Sequence, residues 1–360
     1  MENFNNIYKD KVVLVTGHTG FKGSWLCIWL LELGAKVIGY ALEPNSQKDI
    51  FVLAQLQDKM IDIRGDIRNI NKLKNVFEEY KPEYVFHLAA QPLVYESYQT
   101  PVDTYMTNVM GTINVLECMR QASSARFGIF ITTDKCYSNK EQIWGYKEED
   151  PLGGYDPYSS SKAAAEIAIS SWRESFMNPN DYSVHHTAIA SVRAGNVIGG
   201  GDWSENRIIP DCIKALENNK KIKIRNPQSV RPWQHVLDPL SGYLLLGEKM
   251  TNSPEKCSTS WNFGPLLESL VSVETLVDEL IALYGKGELE KTSHRMHETN
   301  FLNLDISKSY FILGWKPTWN IRKTLFYTVE WYKSYAVDDP YTLCLKQIRE
   351  YTNDMARTER

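Results

Sequence analysis

The chain has little that would hold a metal ion or form a disulfide framework. Its cysteines are widely spaced along 360 residues and form no C-x-x-C pair. This pattern argues against a zinc site and against a small disulfide-bonded fold. The cysteines are Cys27, Cys118, Cys136, Cys212, Cys257 and Cys344.

The chain also lacks a strong charge of one sign and a long apolar segment. Its 40 basic and 44 acidic residues give a net charge of −4, without the basic excess typical of nucleic-acid-binding proteins. No apolar run approaches the roughly 18 residues of a membrane span. The polar residues 1–11 lack the apolar core of a signal peptide. We therefore expect a cytoplasmic protein that binds neither nucleic acid nor membrane.

What the sequence does contain is a regular alternation of strand-like and helix-like segments. Residues 11–16 (KVVLVT) are typical of a buried parallel strand, residues 23–34 of a helix, and residues 36–42 of a second strand. Further strands are predicted at 60–64, 84–88, 127–132 and 187–192, and helices at 71–80, 102–122 and 158–176. This order predicts an α/β fold with a Rossmann-type doubly wound parallel sheet.

The alternation loosens after Gly195, where helices are predicted at 208–218 and 271–284 and a strand at 221–225. We interpret this part as a smaller mixed α/β lobe that binds substrate. The predicted cofactor lobe comprises residues 1–195 and roughly 233–262, and the substrate lobe roughly 196–232 and 263–360. The chain would recross between the lobes near 233–249. The segment after Asp338 is expected to form a peripheral helix and a frayed end.

A glycine loop follows the first predicted strand and opens the first helix. Gly17 permits a tight turn, Gly20 lets backbone N–H groups approach a pyrophosphate, and Gly23 allows close packing of helix on strand. Thr19, Phe21 and Lys22 complete the loop. Because the loop lies in a βαβ unit, it predicts a dinucleotide site.

The expected ribose-binding acid is missing at the end of the second strand, where Glu43 stands slightly late. No arginine stands there to bind a 2′-phosphate, so NAD is favoured over NADP. Asp66 and Ile67, at the end of the third strand, are candidates for the adenine edge.

A tyrosine and a lysine stand four residues apart at the start of the helix predicted at 158–176. Tyr158 and Lys162 would share one helix face. The ammonium would stabilise a phenolate, so that Tyr158 could take a hydroxyl proton while hydride leaves the adjacent carbon. Upstream, Thr133, Asp134 and Lys135 place a hydroxyl, an acid and an amine at the end of a strand. Hydride transfer alone does not need that acid and amine.

Together the glycine loop, the segment His87–Ala90, Asn108 and the Tyr158/Lys162 pair resemble the extended short-chain dehydrogenase/reductase superfamily. More narrowly, the glycine loop and three longer blocks resemble the CDP-glucose 4,6-dehydratase family. The blocks are TDKCY at 133–137, RAGNVIGGGDW at 193–203 and RPWQHV at 231–236. The resemblance covers residues from about 11 to about 331.

The resemblance implies conversion of CDP-glucose to CDP-4-keto-6-deoxyglucose, a precursor of deoxysugars for surface polysaccharides such as the O-antigen. Thr133, Tyr158 and Lys162 are implied as the oxidation triad, with Asp134 as the acid and Lys135 as the base of water elimination. The related dTDP-glucose dehydratases carry Glu where Lys135 stands. The implied cofactor is NAD, which would contact the glycine loop and the residues Asp66, Ile67, Leu88, Ala89, Ala90, Asn108, Tyr158 and Lys162.

The same resemblance implies a substrate site rich in arginine. Arginine suits bidentate contacts to a diphosphate, and Arg231 is the best candidate for one. The other implied substrate residues are Arg193, Asn196, Arg207, Arg225 and Glu298. The segment Tyr95–Glu96 departs from the family, in which an arginine is expected. The predicted helices 102–122 and 158–176 form the dimer face in the superfamily, which implies a homodimer or homotetramer.

Two alternatives stay open at this point. A nucleotide-sugar 4-epimerase, or a 4,6-dehydratase for another nucleotide hexose, would share the fold, NAD and the Tyr158/Lys162 pair. A regulatory protein that senses NAD without turnover would need only the cofactor site. The dehydratase hypothesis carries an electrostatic difficulty, because adjacent Asp134 and Lys135 favour their charged forms. We expect burial against a nicotinamide cation to make Lys135 neutral, and an apolar or hydrogen-bonded niche to keep Asp134 protonated.

Overall fold

The strands of the protein form one large sheet and several short ladders. The computed structural model describes residues 3–291 and 301–358. In these residues the strands are β1 (Val12–Thr16), β2 (Lys36–Ala41), β3 (Ile61–Arg64), β4 (Tyr84–His87), β5 (Phe127–Ile131), β6 (Ala188–Ala194), β7 (Val197–Ile198), β8 (Ile222–Ile224), β9 (Val230–Pro232), β10 (Gln234–His235), β11 (Ser260–Phe263), β12 (Leu270–Ser272) and β13 (Leu289–Lys291).

The helices alternate with these strands and vary in length. They are α1 (Phe21–Glu32), α2 (Ile50–Leu53), α3 (Ile70–Tyr80), α4 (Val94–Gln99), α5 (Pro101–Tyr105), α6 (Gly111–Gln121), α7 (Pro157–Phe176), α8 (Tyr182–His185), α9 (Ile208–Glu217), α10 (Leu237–Asn252), α11 (Pro254–Cys257), α12 (Val273–Tyr284), α13 (Ile321–Ser334) and α14 (Pro340–Thr358). A π-helical turn, Met106–Met110, joins α5 to α6, and a second lies at Ser309–Leu313.

The large sheet has seven parallel strands in the order β3-β2-β1-β4-β5-β6-β11. Except for the edge strand β3, its strands are mostly apolar on both faces. In β1, Val13 and Val15 belong to one core cluster, whereas Leu14 belongs to another on the opposite face. Helices cover both faces, which confirms the predicted doubly wound fold.

The strand order reverses at β1, which pairs with β2 on one side and β4 on the other. Crossovers leave β1 and β4 towards opposite faces at this point, so a crevice forms at their carboxyl ends. The glycine loop follows β1 and residues 88–90 follow β4, so both meet at this crevice.

A smaller lobe lies beyond the carboxyl edge of the large sheet. It contains α9 and α12 and the two-stranded ladders β8–β13 and β9–β12. Between β10 and β12 the chain leaves this lobe through α10, and it places β11 at the edge of the large sheet, beside β6. Both lobes share one contiguous hydrophobic core.

The C-terminal helix differs from the peripheral element that the sequence suggested. Helix α14 packs on α1, and its residues Cys344, Ile348 and Tyr351 are buried. The rings of Tyr351 and Trp29 lie 5.8 Å apart. The segment therefore contributes to the core beneath the large sheet, whereas the assignment of residues 263–360 to the substrate lobe stays a prediction. Within the described ranges, none of the helices combines the length and apolarity that crossing a membrane requires.

Candidate active site

A long cleft begins at the crevice beside β1 and continues between the two lobes. Its walls include the glycine loop, the ends of β3 and β4, the turn after β5, the start of α7 and much of the segment 194–231. The structure brings most of the predicted site residues to this cleft. Asn108 and Arg193 do not border it, and Glu298 lies outside the described residues.

The glycine loop forms an open cradle at the N-terminus of α1. Gly17 has a φ of +76°, and a Cβ there would lie 2.6 Å from the backbone nitrogen of Ala89. A Cβ on Gly23 would lie 2.2 Å from the Gly17 carbonyl oxygen, so only glycine lets the helix pack here. A Cβ on Gly20 would meet only that same oxygen, at 3.4 Å, so the space beside it is free. This shape fits a pyrophosphate at a helix N-terminus.

His18, inside the loop, is a buried residue that holds the loop in place. It is fully buried, and its Nε2 lies 2.7 Å from Asp62 Oδ1 on β3. Its ring packs edge-on against Phe51, with the centroids 5.2 Å apart. His18 therefore ties the loop to the neighbouring strand and does not face the cleft.

The end of β4 is held by a second buried histidine. His87 Nδ1 lies 2.7 Å from Thr16 Oγ1, and its Nε2 lies 3.0 Å from Thr112 Oγ1. Burial, followed by the charge of Lys162, lowers the pKa of His87 to about 3, so the ring is neutral. This network fixes residues 88–90 beside the glycine loop, where Leu88, Ala89 and Ala90 border the cleft.

Asn108 has a supporting position rather than a direct one. Its Oδ1 accepts from the Gln91 backbone N–H at 2.8 Å, and its Nδ2 donates to Ser161 Oγ at 2.9 Å. It thus ties the loop after β4 to helix α7. This placement speaks against the predicted direct contact with the cofactor.

The far end of the cleft carries the residues predicted for the adenosine half of the cofactor. Asp66 and Ile67 border it just past β3. Burial alone would raise the pKa of Asp66, but Arg68, 2.7 Å away, outweighs it and lowers the pKa. The sequence did not reveal that Arg64 reaches the end of β2. There it lies 2.8 Å from Asp62 and 3.5 Å from Glu43, so two carboxylates neutralise it.

Helix α7 presents the tyrosine and lysine. Asp156 caps the helix by accepting from the Ser159 backbone N–H at 2.9 Å. Tyr158 and Lys162 both border the cleft and are otherwise largely buried. Lys162 Nζ donates to the Ile131 carbonyl oxygen at 3.1 Å, which anchors it beneath the end of β5.

Burial shifts both groups of this pair towards their neutral forms. It lowers the pKa of Lys162 to about 8, with the charge of Glu166 opposing the shift. It raises the pKa of Tyr158 to about 12, with the Thr133 hydroxyl opposing the shift. Tyr158 therefore needs a nearby positive charge before it can act as a base near neutral pH.

The turn after β5 presents the acid and the amine. Thr133 Oγ1 accepts from the Lys135 backbone N–H at 3.3 Å and donates to Asp134 Oδ1 at 3.1 Å. A 3₁₀ turn, Asp134–Cys136, begins directly after it. This short turn thus brings Thr133 beside Tyr158, and it places Asp134 and Lys135 at the cleft.

Asp134 and Lys135 have opposite environments. Asp134 is 3% exposed, and burial raises its pKa although Lys135, Thr133 and Arg231 all oppose the shift. Its Oδ2 has no hydrogen-bond partner among the described residues, and a Cβ on Gly195 would lie 3.1 Å from it. Lys135 is exposed where it borders the cleft. The protein itself thus buries the acid, whereas the expected burial of the amine against a nicotinamide cation stays a prediction.

Arg193 is buried behind this turn and faces away from the cleft. Its Nη2 lies 2.8 Å from Glu166 Oε2, and its Nη1 donates to Tyr137 Oη at 2.7 Å. The carboxylate and the hydroxyl occupy the guanidinium, so the placement opposes the predicted substrate contact.

The other arginines predicted for substrate border the cleft at its substrate-lobe end, as does Asn196. Arg207 Nη1 donates to Asp202 Oδ2 at 2.9 Å. Arg225 Nη2 donates to Asn206 Oδ1 at 3.2 Å. Arg231 is half-buried and donates to its neighbour's carbonyl oxygen.

Lys22 adds a cation to the lining of the cleft. Desolvation, and then the charges of Arg207 and Lys162, lower the pKa of Lys22 to about 7. An anion bound between these groups would stabilise the charged ammonium. The cleft is therefore suited to a ligand with a diphosphate in this position.

Comparisons with known proteins agree with this geometry. The family model described as GDP-mannose 4,6 dehydratase matches residues 14–326. CDP-glucose 4,6-dehydratase of Salmonella typhimurium is 48% identical over 358 residues, which cover 99% of each chain.

Solved structures give the same fold at lower sequence identity. The dTDP-glucose 4,6-dehydratase of Bacillus anthracis, in complex with NAD, has a TM-score of 0.76 and 23% identity, covering 90% of this chain and 97% of that one. The UDP-glucose 4-epimerase of Thermotoga maritima, with UDP-glucose, has a TM-score of 0.78 and 23% identity, covering 90% and 99%. The fold alone therefore does not distinguish dehydratase from epimerase.

Proposed function

The chain belongs to the GDP-mannose 4,6 dehydratase family, and we propose that it is an NAD-dependent lyase that converts CDP-glucose to CDP-4-keto-6-deoxyglucose and water. The observation that carries the proposal is the turn Thr133–Lys135. It places a buried acid with a raised pKa and an exposed amine at the same cleft as Tyr158 and Lys162. An enzyme that only oxidises and reduces one carbon has no need of that second pair.

The cleft fits NAD at its Rossmann end. The open space at Gly20 accommodates the pyrophosphate, and Glu43 and Asp62 neutralise Arg64, which leaves no free guanidinium there for a 2′-phosphate. When bound, NAD would take up the hydride from C4 of the hexose and return it to C6.

The oxidation at C4 is assigned to the triad. Tyr158 takes the proton of the C4 hydroxyl, and the Thr133 hydroxyl beside it holds the C4 oxygen in place. Lys162 is anchored by the Ile131 carbonyl oxygen and supplies positive charge that favours the phenolate. The product is a C4 ketone, which acidifies the neighbouring C5–H bond.

The elimination is assigned to the adjacent acid and base. Lys135 removes the C5 proton, and Asp134 protonates the C6 hydroxyl, which leaves as water. The C5 carbon regains its proton from Lys135 as C6 is reduced. The step converts a neutral Asp134–Lys135 pair into an ion pair, so their adjacency favours the outcome of proton transfer although it disfavours the starting state.

The substrate diphosphate is assigned to Lys22 and to two arginines at the substrate-lobe end of the cleft. Lys22, Arg207 and Arg231 all border it, and Arg231 also lies close enough to affect the charge of Asp134. Asn196 and Arg225 line the same end and are assigned to the nucleotide sugar. The choice of a cytidine nucleotide rests on the 48% identity to the Salmonella typhimurium enzyme over almost the whole chain.

A panel of nucleotide sugars tests the proposal. Purified protein is incubated with CDP-, dTDP-, UDP- and GDP-glucose, and 4-keto-6-deoxy products are followed by mass spectrometry. CDP-glucose should give the product with the highest kcat/KM. Product from another nucleotide sugar but not from CDP-glucose would contradict the base assignment, and an epimer with an intact C6 hydroxyl would favour the epimerase.

The assembly is proposed to be a homodimer or a dimer of dimers. Val102, Met106 and Met110 recur every four residues along the helical stretch α5–α6 and are exposed. Ile167 is exposed on the neighbouring helix α7. Replacing Val102 and Met106 together by Asp should shift the sedimentation coefficient to that of a monomer. An unchanged sedimentation coefficient would contradict the proposal that this face forms the dimer interface.

The lobe division and the compartment are also proposals. We assign residues 3–195, 233–263 and 340–358 to the cofactor lobe, because β11 and α14 pack on it. The cysteines are free and buried, which suits a reducing cytoplasm, where the product would serve deoxysugar synthesis for surface polysaccharide.

A further inference from the structure

A buried ion pair lies directly behind the catalytic turn, and the reaction as proposed does not use it. Glu166 and Arg193 are each 3% exposed, and their charged atoms lie 2.8 Å apart. Neither residue borders the cleft. Burying a carboxylate and a guanidinium costs considerable desolvation free energy, so their contacts with the catalytic segment need an explanation.

Glu166 makes a hydrogen bond at the start of the turn. It stands one helical turn after Lys162 on α7, and its Oε1 accepts the hydroxyl of Thr132, the residue before Thr133. Its Oε2 accepts from Ser191 Oγ on β6 at 2.7 Å. The carboxylate therefore fixes the end of β5 against helix and sheet at the point where the turn begins.

Arg193 makes a hydrogen bond at the end of the same turn. Its Nη1 donates to Tyr137 Oη at 2.7 Å and to the Glu148 carbonyl oxygen at 3.0 Å, and its guanidinium carbon lies 4.8 Å from the centroid of the Tyr137 ring. Tyr137 Oη in turn donates to Asn262 Oδ1 on β11 at 2.8 Å. The segment between Thr132 and Tyr137 holds the acid and the base. The ion pair thus makes hydrogen bonds to both ends of this segment.

We propose that Glu166 and Arg193 are positioning residues that hold the elimination turn in register with Tyr158 and supply the buried counter-charge to Lys162. The proposal rests on the function assigned above, because it concerns the groups of that reaction. It assigns to Arg193 a role in the geometry of the turn instead of a contact with substrate.

The counter-charge follows from the position of Glu166 on the same helix face. The charge of Glu166 raises the pKa of Lys162 against the larger effect of burial, so the lysine keeps more of its positive charge near neutral pH. Burial raises the pKa of Glu166, but the charge and hydrogen bond of Arg193, with the hydrogen bonds of Thr132 and Ser191, outweigh it and lower the pKa. Arg193 therefore helps to keep Glu166 ionised. Other titratable or charged groups that interact with this cluster are Lys22, His87, Cys136, Tyr137, Arg173 and Lys308.

The decisive variant is Glu166→Gln, which keeps the size of the side chain but removes its charge. We expect kcat to fall roughly 10²-fold, since a displacement of about 1 Å at catalytic groups costs about that much. KM should change little, because neither residue contacts substrate. Glu248→Gln is the matched control, since Glu248 is also buried but lies on α10 away from the cleft.

Two readouts separate positioning from a general loss of structure. In protein with carbon-labelled lysine, NMR titration should show a lower pKa for Lys162 in Glu166→Gln than in the wild type, with the signal identified by Lys162→Arg. The basic limb of the pH profile of kcat should lie at lower pH in Glu166→Gln than in the wild type. Glu166→Asp, which restores the charge, should recover the titration of Lys162 in part.

Tyr137→Phe tests the other end of the turn without changing a charge. It should lower kcat severalfold and leave the titration of Lys162 unchanged. The proposal is overturned if folded Glu166→Gln keeps the wild-type kcat and Lys162 titration, or if Tyr137→Phe keeps the wild-type kcat. Because the lysine titration needs no turnover, an inactive wild-type protein would refute the proposed function while leaving the counter-charge testable.

Discussion

At the scale of single residues, the proposed mechanism depends on two neighbours with separate tasks. In it, Asp134 protonates the leaving hydroxyl and Lys135 removes the C5 proton. Burial favours the protonated form of Asp134, and exposure to the cleft makes Lys135 accessible to substrate. Each task can be removed on its own.

Asp134→Asn should oxidise C4 and still exchange the C5 proton, but lose water elimination by roughly 10²- to 10⁴-fold, the usual contribution of a general acid. Exchange is measured as deuterium uptake at C5 from heavy water. An analogue with fluorine at C6, whose leaving group needs no proton, should restore elimination. Normal release of dehydrated product from CDP-glucose itself would show that Asp134 is not the acid.

Lys135→Met should fail one step earlier than Asp134→Asn. Oxidation at C4 should persist, seen as absorbance of the reduced cofactor, while deuterium uptake at C5 falls roughly 10²- to 10⁴-fold. Tyr158→Phe is the reference, because it should lose oxidation as well. If Lys135→Met exchanges C5 at the wild-type rate, another group is the base.

The sequence predicts these residues well because their chemistry is local. Tyr158 and Lys162 share a helix face by spacing alone, and the turn 133–135 is contiguous in the chain. It does not predict the role of Arg193, because its partner Glu166 comes from another element and only the fold brings the two charges together. Long-range pairs of this kind leave no periodic signal in one sequence.

At the scale of elements, helix α7 carries Tyr158 and Lys162 of the proposed oxidation triad. Its cap, Asp156, lies two residues before Tyr158, so fraying of the first turn would move the catalytic hydroxyl. Helix α13 offers a comparison, since Asn320 caps it by accepting from the Lys323 backbone N–H at 3.0 Å.

Asp156→Ala and Asn320→Ala should each lower the free energy of unfolding by about 1 kcal/mol through loss of the cap. Only Asp156→Ala should also lower kcat, by about tenfold or more. Chemical denaturation and steady-state kinetics measure the two effects. Equal kcat values for the two variants would mean that the cap does not position Tyr158.

Most elements of the large sheet are predictable because their strands are apolar runs bounded by turn residues. Their bounds fall within two residues of the prediction. Helix α4 is missed because Val94–Gln99 is short and has no apolar period. The π-helical turn within the predicted helix 102–122 is likewise missed, because its residues continue the helical pattern.

At the scale of the whole molecule, α14 closes the chain onto its first helix. Tyr351 Oη donates to Asp238 Oδ1 at 2.8 Å, and Asp238 also accepts from the Thr318 backbone N–H at 2.7 Å. Burial raises the pKa of Asp238 to about 6. This group therefore stabilises the fold most when protonated, and its contribution is lost as pH rises from about 4 through 6.

Tyr351→Phe should lower the free energy of unfolding by about 1–3 kcal/mol at pH 8, where Asp238 is a buried carboxylate that loses a donor. The loss should be smaller at pH 5, where Asp238 is mostly protonated. Denaturant titrations at both pH values measure it. Tyr341→Phe on the same helix is the control and should stay within about 0.5 kcal/mol. An equal loss at both pH values would contradict the titration of Asp238.

The arrangement of the lobes is only partly predictable. The sequence predicts a return of the chain near 233–262, but not the helix α10 and the strand β11 that the structure has there. The packing of α14 on α1 is not predicted either, because a terminal amphipathic helix carries no mark of which surface it will cover.

The central claim is that one active site oxidises C4, eliminates water across C5 and C6, and reduces C6. CDP-glucose carrying deuterium at C4 tests it most directly, with the position of the label in the product read by NMR. The account predicts a 4-keto-6-deoxy product with the deuterium at C6. Deuterium retained at C4 of a hexose whose C6 hydroxyl is intact would contradict it.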